Sequence, residues 1–280
     1  MKTVAITGGS GFIGSALIHF LKEKGFHPLI ISRKKGLGIY WDPEKGEIDS
    51  EALEPVDLIV HLAGENIGSL HWSAAKKRRI LESRTQGLEL LLKTKKELIV
   101  TSATGYFGDR ADAVLRAQSS AGSGFLSEVC QRVEALAQGS TICRFGLVLS
   151  PRGGLLKRLL PLVCMGLGAI IGGDQYMSWI ALDDLVRQLH AVIVNPPQRS
   201  LNFCSPNPVT HQQFMQTLAK VCHRPLFLKV PKSLVRFFLG EASQLILNSA
   251  RAIPSEEQLP LFEHPELEEA LCFEMSKQNS

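Results

Sequence analysis

Residues 3–14 read Thr-Val-Ala-Ile-Thr-Gly-Gly-Ser-Gly-Phe-Ile-Gly, which sets Gly9, Gly11 and Gly14 in G-x-G-x-x-G register. A β-branched run precedes them and an amphipathic stretch follows. Glycines so spaced permit a tight strand-to-helix turn, let backbone approach a pyrophosphate, and pack the helix closely on its strand. The amides that open a helix have no partners within it and face an anion. Gly8, Gly9, Ser10, Gly11, Phe12, Ile13 and Gly14 are therefore expected to cradle a dinucleotide. The next strand should end near residue 32, where NAD-binding chains place a carboxylate on the ribose hydroxyls. This chain has Ser32-Arg33-Lys34-Lys35 there. A carboxylate would repel an additional phosphate, whereas a guanidinium accepts one bidentately and a serine hydroxyl can add a hydrogen bond, so the expected cofactor is NADP. The plainer alternative is a solvated basic loop.

Other polar residues have simpler readings. Asp183 and Asp184 precede an apolar-periodic segment and read as a helix N-cap, not as an acid/base pair. His61 lies within an apolar run and reads as a packed, hydrogen-bonded histidine. Trp41, Trp72 and Trp179 fit either core or pocket wall. The 8 histidines are scattered and the 6 cysteines form no C-x-x-C pair, so neither a metal site nor a disulfide framework is expected.

The elements that must position these groups follow from periodicity. Short apolar runs at Thr3–Thr7, Pro28–Ser32, Asp57–Leu62, Leu98–Ser102 and Thr141–Phe145 alternate with amphipathic stretches at Phe12–Lys24, Ser73–Lys93 and Leu126–Ala137, and 40–48 reads as a hairpin turning at Pro43–Gly46. This is the pattern of an α/β fold, a Rossmann-type doubly wound parallel sheet buried on both faces. Only 3 of the 14 prolines lie in the first 150 residues. Residues 1–150 are thus read as the cofactor-binding domain and 151–280 as a smaller, substrate-side α/β region interleaved with the sheet. In that region Asp183–Val194 is helical in period and Leu201–Cys204 is a sixth strand.

Composition limits the partners. The 31 Lys and Arg against 27 Asp and Glu leave +4, too weak and too dispersed to call for nucleic acid or a membrane surface. The longest apolar stretch, Leu159–Ile171, is interrupted by Pro161, Gly166 and Gly168 and reads as buried and loop-broken, short of the ~20 residues of a bilayer span. The chain begins with no signal-peptide core, and a cytoplasmic location with a small-molecule substrate is expected.

With these residues in place, the chain resembles the extended short-chain dehydrogenase/reductase superfamily. Asp57–Gly64 is similar to its third characteristic strand and Arg144–Leu149 to the strand beside the nicotinamide. The likeness is nearer to an atypical branch, the NAD-dependent epimerase/dehydratase-like proteins. Trp41-Asp42-Pro43, 62–67 (Leu-Ala-Gly-Glu-Asn-Ile), Ser83-Arg84, Gly105-Tyr106-Phe107-Gly108, Trp179-Ile180 and 265–271 carry it, over essentially the whole chain. The resemblance implies that Ser32 and Arg33 meet the adenosine phosphate, that Leu62, Ala63 and Gly64 line the cofactor, that Arg84 reaches it from the following helix, and that Leu147 sits by the nicotinamide. Without the resemblance, Arg84 would read as solvated surface beyond the basic run Lys76–Arg79.

Reduction in this superfamily uses a tyrosine whose proton exchange is helped by a lysine four residues on, because an ammonium favours the ionised phenol. Counting back from Glu134 puts that pair at Leu126 and Cys130, and neither can do this work. The serine that holds the substrate oxygen falls at Ser102 when the strand is aligned, or at Ala103 when counted from Gly108; Ser102 is preferred. Tyr106 is a substitute phenol or a packing aromatic. Further departures from the branch are Ala181 where its members carry histidine, Arg116-Ala117-Gln118 where they carry an acid, and a shortened stretch between Pro254 and Pro265. Two functions follow as alternatives. One is an NADP-dependent oxidoreductase or nucleotide-sugar-epimerase-like enzyme with a small polar substrate. The other is a non-catalytic NADP-binding regulatory or interaction protein, since some plant and cyanobacterial relatives carry a cell-division label.

Overall fold

The computed structural model describes residues 1–68, 72–255 and 260–277. The apolar runs assemble one sheet from β1 (Thr3–Thr7), β2 (His27–Ser32), β3 (Ile39–Asp42), β4 (Glu47–Ile48), β5 (Leu58–His61), β6 (Glu97–Ala103), β7 (Thr141–Phe145) and β8 (Ser200–Phe203). Their spatial order is β8-β7-β6-β5-β1-β2-β3-β4. Neighbours are parallel, with Ile6 opposite both Ile30 and Val60 and with Cys143 opposite Leu201. Only the expected 40–48 hairpin is antiparallel, pairing Trp41 with Ile48.

Side-chain alternation divides β1 between two cores. Val4 and Ile6 pack with Leu17 and Leu21 of helix α1 (Phe12–Glu23). Ala5 faces the other way, toward Leu88 and Leu91 of α2 (Ala74–Leu92) and Val133 of α3 (Phe125–Leu136). Burial on both faces explains why the strand sequences are apolar throughout. Ser73 caps α2, its hydroxyl accepting from the Lys76 amide at 3.2 Å.

The chain beyond Ser150 supplies α4 (Gly154–Cys164), α5 (Leu182–Val194), α6 (His211–Val221), α7 (Lys232–Leu239) and several two-stranded ladders. Trp179–Ala181 runs parallel to Leu147–Leu149, and Leu228–Val230 parallel to Ala169–Ile171. A separate core gathers Leu156, Leu160, Trp179, Phe214 and Leu271. α5 covers the α1 face of the main sheet, and its Leu185, Leu189 and Ile193 share the core that holds Val4 and Ile6.

Two local expectations are corrected. Leu159–Ile171 is broken as expected at its glycines but not at Pro161, and it is only partly buried: α4 continues through Pro161 to Cys164, and the helix closes at Gly166, whose φ is +77°. The Gly166 amide donates to Val163 O at 2.9 Å and the Leu167 amide to Leu162 O at 2.8 Å, a Schellman closure that leaves Leu162, Met165 and Leu167 exposed. Asp183 and Asp184 do not cap α5 either. The chain enters the helix directly from a strand, so Ala181 is the N-cap and both acids lie in the first turn.

Candidate functional site

Sheet order reverses between β1 and β5, so a crevice opens at the carboxyl ends of these strands, the usual ligand position in such sheets. The glycine turn leaves β1 at this point. Gly8 has φ +68°, and a Cβ on Gly14 would lie 2.3 Å from Gly8 O, so helix and turn touch backbone to backbone. The Gly11 amide donates to Gly8 O at 2.9 Å. Gly11 is the N-cap of α1 and offers no side chain, and no acid lies in the first turn. The amides of Phe12, Ile13 and Gly14 thus form an uncapped, electropositive helix end, with Ser10 and Gly11 exposed at its tip. The Phe12 ring lies under Gly153, where a Cβ would come within 2.3 Å of Cγ, so the start of the second half rests on the turn.

Thr7 joins this turn to the end of β5. Its hydroxyl oxygen accepts from the Leu62 and Ala63 amides, both at 3.1 Å, and lies 2.8 Å from His61 Nδ1. Both lone pairs are used, so the hydroxyl proton points to Nδ1 and the neutral imidazole carries its own proton on Nε2. Burial lowers the His61 pKa to about 4. The expected packed histidine is therefore a strut that holds the 62–63 backbone against Gly8. Its Nε2 is buried and has no partner among the described residues.

A cavity of about 70 Å³ lies here, lined by His61, Gly64, Arg84 and Thr101. A larger hollow of about 540 Å³ lies near Ser50 and Lys96, before the start of β6 and away from the crevice. Arg84 turns inward: Nη1 donates to Glu65 O at 3.1 Å and Ile80 O at 3.0 Å, and a Cβ on Gly64 would be 3.0 Å from its Cζ. Glu65 pairs with Lys76 at 2.5 Å, which leaves the Arg84 guanidinium without a carboxylate among the described residues. Arg84 is not the solvated cation that the neighbouring basic run implied.

At the end of β2, the Ser32 hydroxyl accepts from the Lys34 amide at 3.0 Å. Arg33 is exposed and makes no hydrogen bond or ion pair among the described residues. Leu147 begins the strand that pairs with Trp179–Ala181, its amide donating to Ser178 O at 2.7 Å. Trp41 and Trp179 are core residues, and Trp72 donates Nε1 to Ile67 O at 3.1 Å and meets Phe125 edge-on.

Ser102 and Tyr106 are brought together by a group that the sequence did not single out as functional. Arg144 holds Glu134 bidentately, Nε to Oε1 at 2.9 Å and Nη2 to Oε2 at 2.7 Å, in a pair whose side chains are 4% and 9% exposed. The Ser102 hydroxyl donates to the same Glu134 Oε1 at 2.7 Å. Arg144 Cζ lies 3.7 Å from the Tyr106 ring centroid. Cys130 lies beside Ser102 and the Ala103 backbone, its thiol pKa pushed up by burial, and Leu126 lies against Gly105. The Ser102 proton is thus committed to a buried carboxylate, and no lysine occupies the place beside it. Nothing local announces this network, whose members come from β6, α3 and β7; the one signal in sequence is Arg144, a charge inside the otherwise uncharged run Thr141–Phe145.

The sequence model of the NAD dependent epimerase/dehydratase family matches residues 4–124. A Mycobacterium tuberculosis protein named epimerase family protein MT2273 is 40% identical, with 96% of each chain aligned. The chain belongs to the epimerase/dehydratase family. Among solved structures, human epimerase family protein SDR39U1 with NADPH superposes at TM-score 0.87 and 27% identity, covering 98% of this chain and 99% of that one. A nucleoside-diphosphate sugar epimerase of Corynebacterium glutamicum gives TM-score 0.66 at 26% identity, covering 99% of this chain and 66% of that one. The match to the human structure extends the epimerase/dehydratase fold through both halves, the proline-rich part included.

Proposed function

We propose that this family member binds NADPH across the β1/β5 crevice and presents it to a small polar substrate of the nucleoside-diphosphate-sugar kind. The observation that carries the reading is Arg33: an exposed guanidinium with no ion pair among the described residues, next in the chain to Ser32, at the strand end where an NAD-selective chain needs a carboxylate. The NADPH in the human relative and the name of the Corynebacterium protein support it. The amides of Phe12–Gly14 hold the pyrophosphate, the Thr7–His61 strut fixes the Leu62–Gly64 wall, Arg84 supplies a positive charge behind it, and Leu147 packs beside the nicotinamide. When bound, the cofactor supplies hydride chemistry, and the chain's own contribution is orientation and exclusion of water.

Arg33→Ala should raise the Kd for NADPH by roughly ten- to a hundredfold, since a charge-assisted hydrogen bond contributes about 1.5–3 kcal/mol, and leave the Kd for NADH unchanged by calorimetry. Equal losses for both cofactors would remove the NADP assignment. A second reading, a non-catalytic NADPH-responsive protein, is favoured by Leu126, by Cys130 and by the Ser102 proton held at Glu134. Monitoring NADPH oxidation against carbonyl compounds and nucleotide sugars separates the two. Turnover supports the enzyme; tight binding without turnover across the panel, unchanged in Ser102→Ala and Tyr106→Phe, supports the responsive protein.

A further inference from the structure

The whole-chain charge of +4 conceals a strong local imbalance. Residues 151–173 and 222–240 contain Arg152, Lys157, Arg158, Arg224, Lys229, Lys232 and Arg236 and no aspartate or glutamate. They hold 7 of the 31 Lys and Arg and none of the 27 Asp and Glu, so the remaining 24 cations and 27 anions leave the rest of the chain at −3. The two segments are neighbours in space. Ala169–Ile171 pairs with Leu228–Val230, a Cβ on Gly168 would lie 3.1 Å from Leu226 Cδ1, and the Lys232 side chain crosses Gly172. Lys157, Arg224, Lys229 and Arg236 are exposed and make no ion pair among the described residues.

Between these cations stand large apolar side chains that the core leaves out. Phe227 and Phe237 are 82% exposed, Phe238 63%, Met165 64% and Leu167 55%. Leu234, Phe237 and Phe238 share one face of α7 at i, i+3, i+4 spacing, while Val235 turns into the protein. The Schellman turn raises Leu162 and Leu167 at the end of α4. Apolar groups this exposed and this concentrated mark an interaction surface. On α7 itself Lys232 pairs with Asp174 at 2.5 Å, which leaves Arg236, with the neighbouring Arg224 and Lys229, as the cations without an ion pair among the described residues. A short amphipathic helix with phenylalanines on one side and such cations at its border is the form in which a protein lies in a bilayer interface, its apolar groups among the acyl chains and its Lys and Arg at anionic headgroups. No helix among the described residues is long and apolar enough to cross a membrane, so the mode is surface attachment.

We propose that α7, the Leu226–Lys229 turn and the end of α4 dock this protein on an anionic lipid surface. The sequence expectation of no membrane partner took the charge to be weak and dispersed, whereas these two segments gather seven cations and no acid.

The test is co-sedimentation of the full chain with phosphatidylcholine vesicles, with and without phosphatidylglycerol, at low and high salt. The expected result is binding that requires phosphatidylglycerol and falls with salt. Lys229→Glu with Arg236→Glu should lower partitioning by roughly 25-fold, from about 1 kcal/mol per surface cation. Phe237→Ser with Phe238→Ser should lower it by at least roughly tenfold, since burying even one such ring contributes about 1.5–3 kcal/mol. Circular dichroism and melting temperature verify folding of each variant, and the salt and lipid dependence of the unaltered chain stands without them. No sedimentation with either vesicle, or binding indifferent to phosphatidylglycerol, overturns the proposal. So does a self-association that Phe237→Ser abolishes in light scattering without vesicle binding, which would make the face an interface between two copies.

Discussion

Thr7 and His61 show how much one hydroxyl can decide at the residue scale. Because Thr7 Oγ1 accepts two amides, its proton is committed to His61 Nδ1, and the imidazole stays neutral in the folded chain. Burial holds His61 near 4, against an unfolded value of 6.5, and His211 is likewise held near 4 by burial. The unfolded chain takes up these protons as pH falls through 6.5 while the folded chain resists until about 4. Stability from this source is therefore complete above pH 6.5 and declines as pH drops toward 4, by about 3 kcal/mol for His61. Urea unfolding between pH 6.5 and 4.5 should show a slope smaller by about one proton in His61→Gln than in the unaltered chain, whatever His190, His211 and the buried acids add to both; an unchanged slope would refute the assignment. The Glu134–Arg144 pair makes a sharper demand. Arg144→Met leaves a carboxylate that is 9% exposed with only the Ser102 hydroxyl for compensation, and should cost about 3–5 kcal/mol in urea unfolding. Arg144→Met with Glu134→Leu should recover most of that loss, because neither charge then remains buried alone.

The elements best read from sequence were those whose local pattern agrees with their surroundings. β1 and the Thr141–Phe145 strand have the expected limits, and α1 and α2 differ from expectation only by a residue or so at the ends, because two-sided burial and Gly or Ser boundaries leave little choice. Of the three interruptions read at the end of α4, Gly166 in the left-handed region makes the stop, whereas Pro161 lies inside the helix and does not break it. The α5 cap was misread because Asp183 and Asp184 have the right side chains for a cap while a strand supplies the residue before them. Of the candidate site, the tight strand-to-helix glycine turn was legible because its backbone geometry is set locally. The inward Arg84 and the Ser102–Glu134–Arg144 chain depend on contacts between distant elements. The turn itself gives a graded test. Gly14→Ala forces a methyl to within 2.3 Å of Gly8 O, backbone against backbone, while Gly11→Ala meets the same oxygen at 3.2 Å. Thermal melts should show Gly14→Ala destabilised by about 1–3 kcal/mol and deprived of its NADPH-induced shift in Tm, with Gly11→Ala losing under about 1 kcal/mol.

For the whole molecule, the decisive fact is where the first core obtains its residues. Leu182, Leu185, Leu189 and Ile193 of α5, with Leu201 and Phe203 of β8, share one cluster with Val4, Ile6 and Leu17. β8 pairs with Thr141–Phe145 through four residues, Ser200 to Phe203, so the edge of the sheet comes from the second half. Reciprocal ties run back: Lys2 Nζ donates to Ile193 O at 2.7 Å, Phe12 rests on Gly153, and the Arg158 guanidinium donates to Gly68 O. A chain ending at Ser150 would keep the glycine turn and every expected cofactor residue, yet would expose the α1 face of the sheet and leave β7 as a bare apolar edge. Such a chain should aggregate or unfold without a cooperative transition, and NADPH should not rescue it, because the turn proposed to bind it has lost the packing that shapes it. The complete chain should unfold in one urea transition that moves as a whole when NADPH is added. Two transitions, with only the first shifted by NADPH, would show instead that residues 1–150 fold by themselves and that the proline-rich half is an attachment to them.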